Sequence, residues 1–211
     1  GAAIAVTRSV VGGSQTQSPS DRLHIAGVGI GGMGAANLRN MESEAIVALC
    51  DVDRKFAAGT IKRYPKAPVY TDFRRMLEKQ KEIDAVMVAT PDHTHAVISM
   101  AAIRAGKHVY CQKPLTHTVY EARKLAEAAA EAKVATQMGI QGHSGDGIRK
   151  IREWIEAGVI GDVDRVDAWC DLTYYPWGHA YWSCKWSKRP SETPPVPGTL
   201  NWDLWIGPAP M

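Results

Sequence analysis

The chain has 211 residues and a formal net charge of +3. Hydrophobic residues make up 45% of it and charged residues 22%, which is ordinary for a globular protein with a buried core and excludes a disordered, collagen-like or disulfide-stapled chain. The charge is small and no run of Lys or Arg exceeds two residues, so nucleic acid is not an expected partner. No apolar stretch approaches the roughly 20 residues that cross a bilayer, so no membrane span is predicted.

The first 21 residues differ from the rest of the chain. Gly1–Val6 is small and apolar, and the polar stretch Gly12–Ser20 follows it. This pattern is typical of the end of a signal peptide's apolar region followed by a linker, and equally of a disordered leader on a cytoplasmic protein. Residues 1–21 are therefore interpreted as a leader, and both an exported (periplasmic) and a cytoplasmic location stay open.

From Leu23 onward, apolar runs alternate with helical patterns. Strands are predicted at 23–28, 45–50, 69–70, 85–89, 108–111 and 134–138, and helices around 35–39 and over 54–63, 72–80, 95–105, 118–132 and 145–157. The helix over 54–63 should stop before Pro65, and Thr71 is the predicted cap of the next helix. Strands that alternate with helices predict right-handed crossovers, and hence an α/β fold with a doubly wound parallel sheet.

The composition changes after this region, since all seven tryptophans lie at or after Trp154. We place a boundary near residues 140–160, which gives a first domain over 22–142 and a second over 143–211. Asp164–Thr173 alternates like a strand, and the rest is predicted to be a loop. About 60 residues with one clear strand are too few for a core of their own, so the second domain is expected to be incomplete.

The four cysteines are far apart in the sequence and include no C-x-x-C pair. They are Cys50, Cys111, Cys170 and Cys184. We interpret them as inert thiols, and no metal site is predicted.

A glycine-rich turn joins the first strand to the first helix. Gly29-Ile30-Gly31-Gly32-Met33-Gly34 fits G-x-G-x-x-G, in which the glycines permit a tight turn, close approach of a pyrophosphate and close helix–strand packing. The pattern also fits from Gly27, but the later register starts after the full apolar run. Asp51 ends the second strand 22 residues after Gly29, where a carboxylate would accept both ribose hydroxyls. A dinucleotide site is predicted, with a methyltransferase as the main alternative.

The same carboxylate bears on the choice of cofactor. Asp51 would repel a 2′-phosphate, which favours NAD. Arg54 and Lys55 are close enough in sequence to accommodate NADP, so both cofactors are considered.

Three further segments follow strands at the carboxyl edge, where doubly wound sheets bind ligands. The segment after the fourth strand is Thr90–His95, which would also fit a purely structural role as the entry to a helix. The segment after the fifth strand is Gln112–Pro114, whose lysine could also be a solvated cation without a function. Gln141 and His143 follow the last strand and would face the cleft. The alternative there is a helix cap built by Ser144 with an exposed histidine.

In this order and at these spacings, the glycine turn, Asp51, the Thr-Pro-x-x-x-His segment and the Lys-Pro turn resemble the Gfo/Idh/MocA oxidoreductases. Gly161–Val163 and Trp202–Pro210 resemble members of this family too, so the resemblance runs from Leu23 to Met211. It implies a Rossmann domain that holds NAD(P), followed by an α+β domain with an open antiparallel sheet. A sugar, a polyol such as a cyclitol, or a derivative would bind between the two.

The resemblance also implies roles for individual residues. Those implied to hold the cofactor are Gly29, Gly31 and Gly34 at the pyrophosphate, Asp51 at the adenosine ribose, Thr90, Pro91 and His95 along the nicotinamide half, and Gln112. Lys113 would be the catalytic residue that contacts substrate and nicotinamide ribose and helps proton transfer, and its bond to Pro114 is expected to be cis. Gln141 and His143 are further candidates for substrate contact.

Two departures from the family pattern stand out. Gln112 occupies the place of the family's usual glutamate, so Lys113 lacks a neighbouring carboxylate. In the family, a further Asp and His follow a Trp-Gly-Pro-like segment, and this chain stops at Met211 before such residues. We therefore expect the 211-residue chain to bind cofactor without turning over substrate.

The favoured hypothesis is an NAD(P)-dependent oxidoreductase, homo-oligomeric when intact, that moves a hydride between nicotinamide and a sugar or polyol. A variant keeps NAD tightly bound and oxidises the sugar only transiently. The alternative from another class is a non-catalytic NAD-binding sensor.

Overall fold

The computed structural model describes residues 22–169 and 191–210. The leader, Cys170, Cys184, and the loop tryptophans Trp177, Trp182 and Trp186 lie outside these ranges. A six-stranded parallel sheet forms the centre, with strand order β3-β2-β1-β4-β5-β6. Its strands are β1 His24–Val28, β2 Ala45–Cys50, β3 Val69–Tyr70, β4 Ala85–Val88, β5 His108–Gln112 and β6 Thr136–Gly139. The predicted doubly wound parallel sheet is confirmed.

Helices follow most strands, as the alternating pattern predicts. They are α1 Gly32–Asn40, α2 Ala58–Arg63, α3 Phe73–Lys79, α4 His95–Arg104, α5 Val119–Ala132, α6 Asp146–Glu156 and α7 Trp202–Ile206, with short 3-10 helices at Asp92–Thr94 and Gln141–Ser144. Thr118 begins α5 with a capping box, in which its hydroxyl accepts from the N–H of Glu121 and the Glu121 carboxylate accepts from the N–H of Thr118. Within the described ranges, no helix has the length and apolarity that crossing a bilayer requires.

Two helix starts differ from the sequence-based prediction. The helix expected from Arg54 begins at Ala58, because the Asp53 carboxylate accepts the backbone N–H groups of Lys55 and Phe56 and holds a turn there instead. At α3 the predicted cap Thr71 is wrong, since Asp72 occupies the N-cap and accepts from the N–H of Arg74 at 2.9 Å.

The C-terminal region departs further from prediction. The strand expected over 164–173 does not form across 164–169, and its last four residues lie outside the described ranges. An alternating sequence becomes a strand only where a partner takes its backbone hydrogen bonds, and no strand in the described part of the chain pairs with it. Gly145, not Ser144, is the N-cap of α6, and the predicted loop around Trp202 contains the helix α7.

Apolar side chains cover both faces of the sheet. The central strand β4 shows the period of two, since Val86 and Val88 join one buried cluster and Met87 joins the other. The first cluster packs under α3, α4 and α5, and the second packs under α1 and α2. Because both faces are covered, β4 is apolar throughout, as in other parallel sheets.

We expect Leu38→Ala to destabilise the chain by about 2–5 kcal/mol, because this fully buried side chain fills the space between α1 and the sheet and its removal leaves a cavity. Urea unfolding followed by circular dichroism measures the loss. Val119→Ala, at a side chain that is 72% exposed, is the control and should change stability by no more than about 0.5 kcal/mol. Equal losses in the two variants would contradict the assignment of Leu38 to the core.

The two described cysteines should be inert towards thiol reagents in the folded chain. Cys50 and Cys111 are buried, and burial raises the pKa of the Cys111 thiol to about 11 and raises that of Cys50 as well, so little thiolate exists near neutral pH. In a chain carrying Cys170→Ser and Cys184→Ser, a chromogenic disulfide reagent at pH 8 should react only after urea is added. Equally fast reaction of folded and unfolded chains would contradict this.

Candidate functional site

The turn between β1 and α1 is built on two glycines that cannot carry side chains. Gly29 has a φ of +74°, and a Cβ on it would lie 2.7 Å from the backbone of Ala89 and Thr90. A Cβ on Gly34 would overlap the carbonyl oxygen of Gly29, because α1 crosses directly over the turn. Gly27 lies inside β1 and contributes to packing, so the structure places the turn at the later register of the glycine pattern.

Asp51 lies beside this turn at the carboxyl end of β2. Its side chain is 8% exposed, and it accepts the backbone N–H of Ile30 at 2.8 Å and that of Asp53 at 2.9 Å. Burial raises the pKa of this carboxyl, and hydrogen bonds from the backbone N–H groups of Asp53, Ile30 and Gly31 act in the opposite direction. Each carboxylate oxygen can accept a further bond, so the group is fixed in place yet still able to accept from ribose hydroxyls.

A cavity of about 670 Å³ opens at this edge of the sheet, at the carboxyl ends of β2, β1 and β4. The predicted cofactor residues that it brings together are Gly29, Gly31, Asp51, Thr90 and Pro91. Its size fits a small-molecule or cofactor site, and its position is where doubly wound sheets bind their ligands.

The other candidates gather at the ends of β5 and β6, outside the lining of this cavity. Lys113 is exposed, and its peptide bond to Pro114 is cis as expected. Gln112 is buried, and its side-chain oxygen accepts from Nε2 of Gln141 at 3.2 Å, while its own Nε2 has no partner among the described residues. His143 is exposed in the neighbouring 3-10 helix.

His95 takes a different position from the one expected along the nicotinamide half. Its ring is 1% exposed, with Nδ1 2.6 Å from the carbonyl oxygen of Pro114 and Nε2 2.8 Å from that of Thr90. A neutral imidazole carries one N–H and donates to one of these oxygens at a time. His95 therefore lies in the core and ties the Thr90 turn to the Lys113–Pro114 turn, and it does not line the cavity.

Among the cavity-lining residues that sequence reasoning did not assign to the cofactor site are Phe56, Arg74 and several residues of the segment 200–208. The Phe56 ring lies against Gly31 and is 67% exposed. Arg74 is paired with Asp72 and follows the end of β3 at the same sheet edge, a signal that could have identified it. Arg54, one of the two cations considered for NADP, instead reaches the carbonyl oxygen of Val69 at 3.5 Å.

The sequence profile of the Gfo/Idh/MocA family, described as an oxidoreductase family with an NAD-binding Rossmann fold, matches residues 23–140. That match covers more than half of the chain. The chain belongs to this family. NAD, the cofactor predicted for this chain, is the one that the family's Rossmann fold binds. The six-stranded parallel sheet described above agrees with that fold.

Curated relatives include inositol 2-dehydrogenase of Rubrobacter xylanophilus, 30% identical over 67% of this chain and 42% of that protein. Levoglucosan dehydrogenase of Pseudarthrobacter phenanthrenivorans is 28% identical over 54% of this chain and 29% of that protein. The chain thus spans less than half the length of these relatives. Scyllo-inositol dehydrogenase of Lactobacillus casei, solved with NAD(H) and scyllo-inositol, superposes with a TM-score of 0.62 at 25% identity over 67% of this chain and 43% of that chain.

Gly34→Ala should destabilise the chain by roughly 1–3 kcal/mol, because the added Cβ must push α1 away from the turn. Gly59→Ala is the matched control, since it adds the same methyl group in α2 with nothing within 4 Å, and it should stabilise the chain by about 0.5–1 kcal/mol. Urea unfolding of both variants gives the comparison. A Gly34→Ala chain as stable as the wild type would show that α1 does not need this close contact.

Proposed function

We propose that this chain is the NAD-binding part of an oxidoreductase that transfers a hydride between nicotinamide and a sugar, a polyol or a sugar derivative. The observation that carries the proposal is the glycine turn, closed against α1 and placed beside the buried Asp51 carboxylate in one cavity. The relatives named inositol 2-dehydrogenase and levoglucosan dehydrogenase support a cyclitol or sugar as substrate.

The start of α1 fits the pyrophosphate of the cofactor. Its N-cap, Gly31, makes no side-chain cap bond, and its first turn contains no acidic residue. Within the described ranges, the first N–H groups of the helix therefore have no side-chain acceptor and are available to phosphate oxygens, which the positive end of the helix dipole also favours. The missing side chains at Gly29 and Gly31 let the backbone approach the phosphates.

Asp51 would then accept from the adenosine ribose, and the same charge selects against a 2′-phosphate. Arg74, the cation that lines the cavity, is paired with Asp72 at 3.0 Å and stacks over Phe73 at 5.1 Å. With that cation already neutralised, nothing in the described lining offsets the Asp51 charge. We infer that NAD binds more tightly than NADP.

The second group of side chains, at the ends of β5 and β6, would serve the reacting half. Bound nicotinamide would accept or supply the hydride, while the exposed Lys113 ammonium would align the substrate hydroxyl and help move its proton. The Gln112 amide, whose Nε2 has no partner in the described part of the chain, and Gln141, which is bonded to it, would present hydrogen-bonding groups beside that lysine. His143, in the next turn, would offer a further contact to the substrate. The cofactor domain would extend over residues 22–142.

A titration with NADH and with NADPH tests the cofactor site in the chain as it stands. The fluorescence of the nicotinamide, excited directly, should report saturable binding that is tighter for NADH. Asp51→Ala should weaken NADH binding by roughly tenfold to a hundredfold, because the ribose hydroxyls lose a charged acceptor.

Asp92→Ala is the matched control, because it removes an exposed carboxylate at the same sheet edge that does not line the cavity. It should leave NADH affinity unchanged. Circular dichroism spectra and melting curves of both variants exclude unfolding as the cause of a loss. A folded wild-type chain that binds neither nucleotide would overturn the proposal, and equal losses in the two variants would remove Asp51 from the site.

A further inference from the structure

The segment 200–208 bridges the two loops on either side of the glycine turn. At one end, Leu200 forms an antiparallel bridge with Asp53, and the N–H of Asn201 donates to the carbonyl oxygen of Val52 at 2.9 Å. These contacts attach the segment to the loop that follows β2 and carries Asp51. A backbone attachment of this kind sets the path of the segment independently of its side chains.

The other anchor lies on the 3-10 helix after β4. His93 Nε2 donates to the carbonyl oxygen of Trp205 at 2.8 Å, and the two rings meet edge to face with centroids 5.3 Å apart. Trp202 stacks on Trp205 with a centroid separation of 5.0 Å. Because β2 and β4 are the neighbours of β1 in the sheet, the segment crosses the mouth of the crevice above the end of β1.

The side chains that the segment turns toward the crevice are mainly apolar. Leu200 and Leu204 line the cavity together with Val52, Pro91 and Ile98. Both leucines are only half-buried, so apolar surface remains open to a ligand. An apolar slot beside a ribose-binding carboxylate suits a flat aromatic base, since burying its faces removes apolar area from water.

We propose that the segment 200–208 is the outer wall of the adenosine half of the dinucleotide site and sets how long the cofactor stays bound. The inference rests on the proposed function, because the ligand is the same dinucleotide. Leu204 contacts the adenine, whereas His93 and Trp205 are positioning residues that hold the wall across the crevice. None of these residues takes part in hydride transfer.

Cofactor release is the measurement that tests the wall. NADH bound to the 211-residue chain is displaced by excess NAD in a stopped-flow instrument, and its directly excited emission is followed so that loss of a tryptophan donor does not alter the signal. Leu204→Ala and His93→Ala should each release NADH roughly tenfold faster, as expected when about two buried methylene groups lose contact. His93→Gln, which keeps a donor for the Trp205 carbonyl, should restore most of the slow release.

Trp154→Ala serves as the control, since it removes an exposed tryptophan on α6 that does not line the cavity, and it should release NADH at the wild-type rate. Competition by ADP, which contains the adenosine half of the cofactor without the nicotinamide, tests where the wall lies. Leu204→Ala should weaken the binding of ADP and the binding of NADH by the same factor. An unchanged ADP affinity in Leu204→Ala, or wild-type release rates in both Leu204→Ala and His93→Ala, would contradict the assignment of the segment as a wall of the site. Neither result would contradict the proposed function. Failure of the wild-type chain to bind NADH overturns both.

Discussion

The close contact between α1 and the turn after β1 is the constraint on which the rest of the site depends. Gly34 lies so near the carbonyl oxygen of Gly29 that no side chain fits between them. This contact holds the start of α1 against the turn at the carboxyl edge of the sheet, next to the cavity-lining residues Gly29 and Gly31. The bond from the N–H of Ile30 to Asp51 then fixes the acidic side chain against the same turn. The glycine turn, the start of α1 and the Asp51 carboxylate are thus held together as one unit.

Around this unit, the sheet topology places the candidate site residues in two separate groups. The ends of β2, β1 and β4 form the cavity that we propose for the dinucleotide, whereas Lys113 and its neighbours lie at the ends of β5 and β6. His95 connects the two, because its ring faces carbonyl oxygens in both the Thr90 turn and the Lys113–Pro114 turn. A buried polar bridge of this kind keeps two loops in register without itself contacting a ligand.

The elements that were predictable from sequence are those whose signal is local. The strand predicted over 85–89 and the helix predicted over 118–132 each depend on a pattern within their own residues, and both are present, as β4 and α5. The errors arise where a side chain competes with the backbone or where a distant partner is required. Asp53 delays the start of α2 by bonding two N–H groups, and the strand expected over 164–173 has no described partner across 164–169.

The sequence by itself determined the doubly wound sheet, the glycine turn and the place of Asp51, because periodicity and spacing within one strand–helix unit fix these features. The tertiary structure alone decided which side chains share the cavity. It turned His95 into the core, brought Arg74 to the lining, and set Trp205 beside His93, 112 positions away in the chain. Contacts between such distant residues follow from the path of the whole backbone, and no local pattern encodes that path.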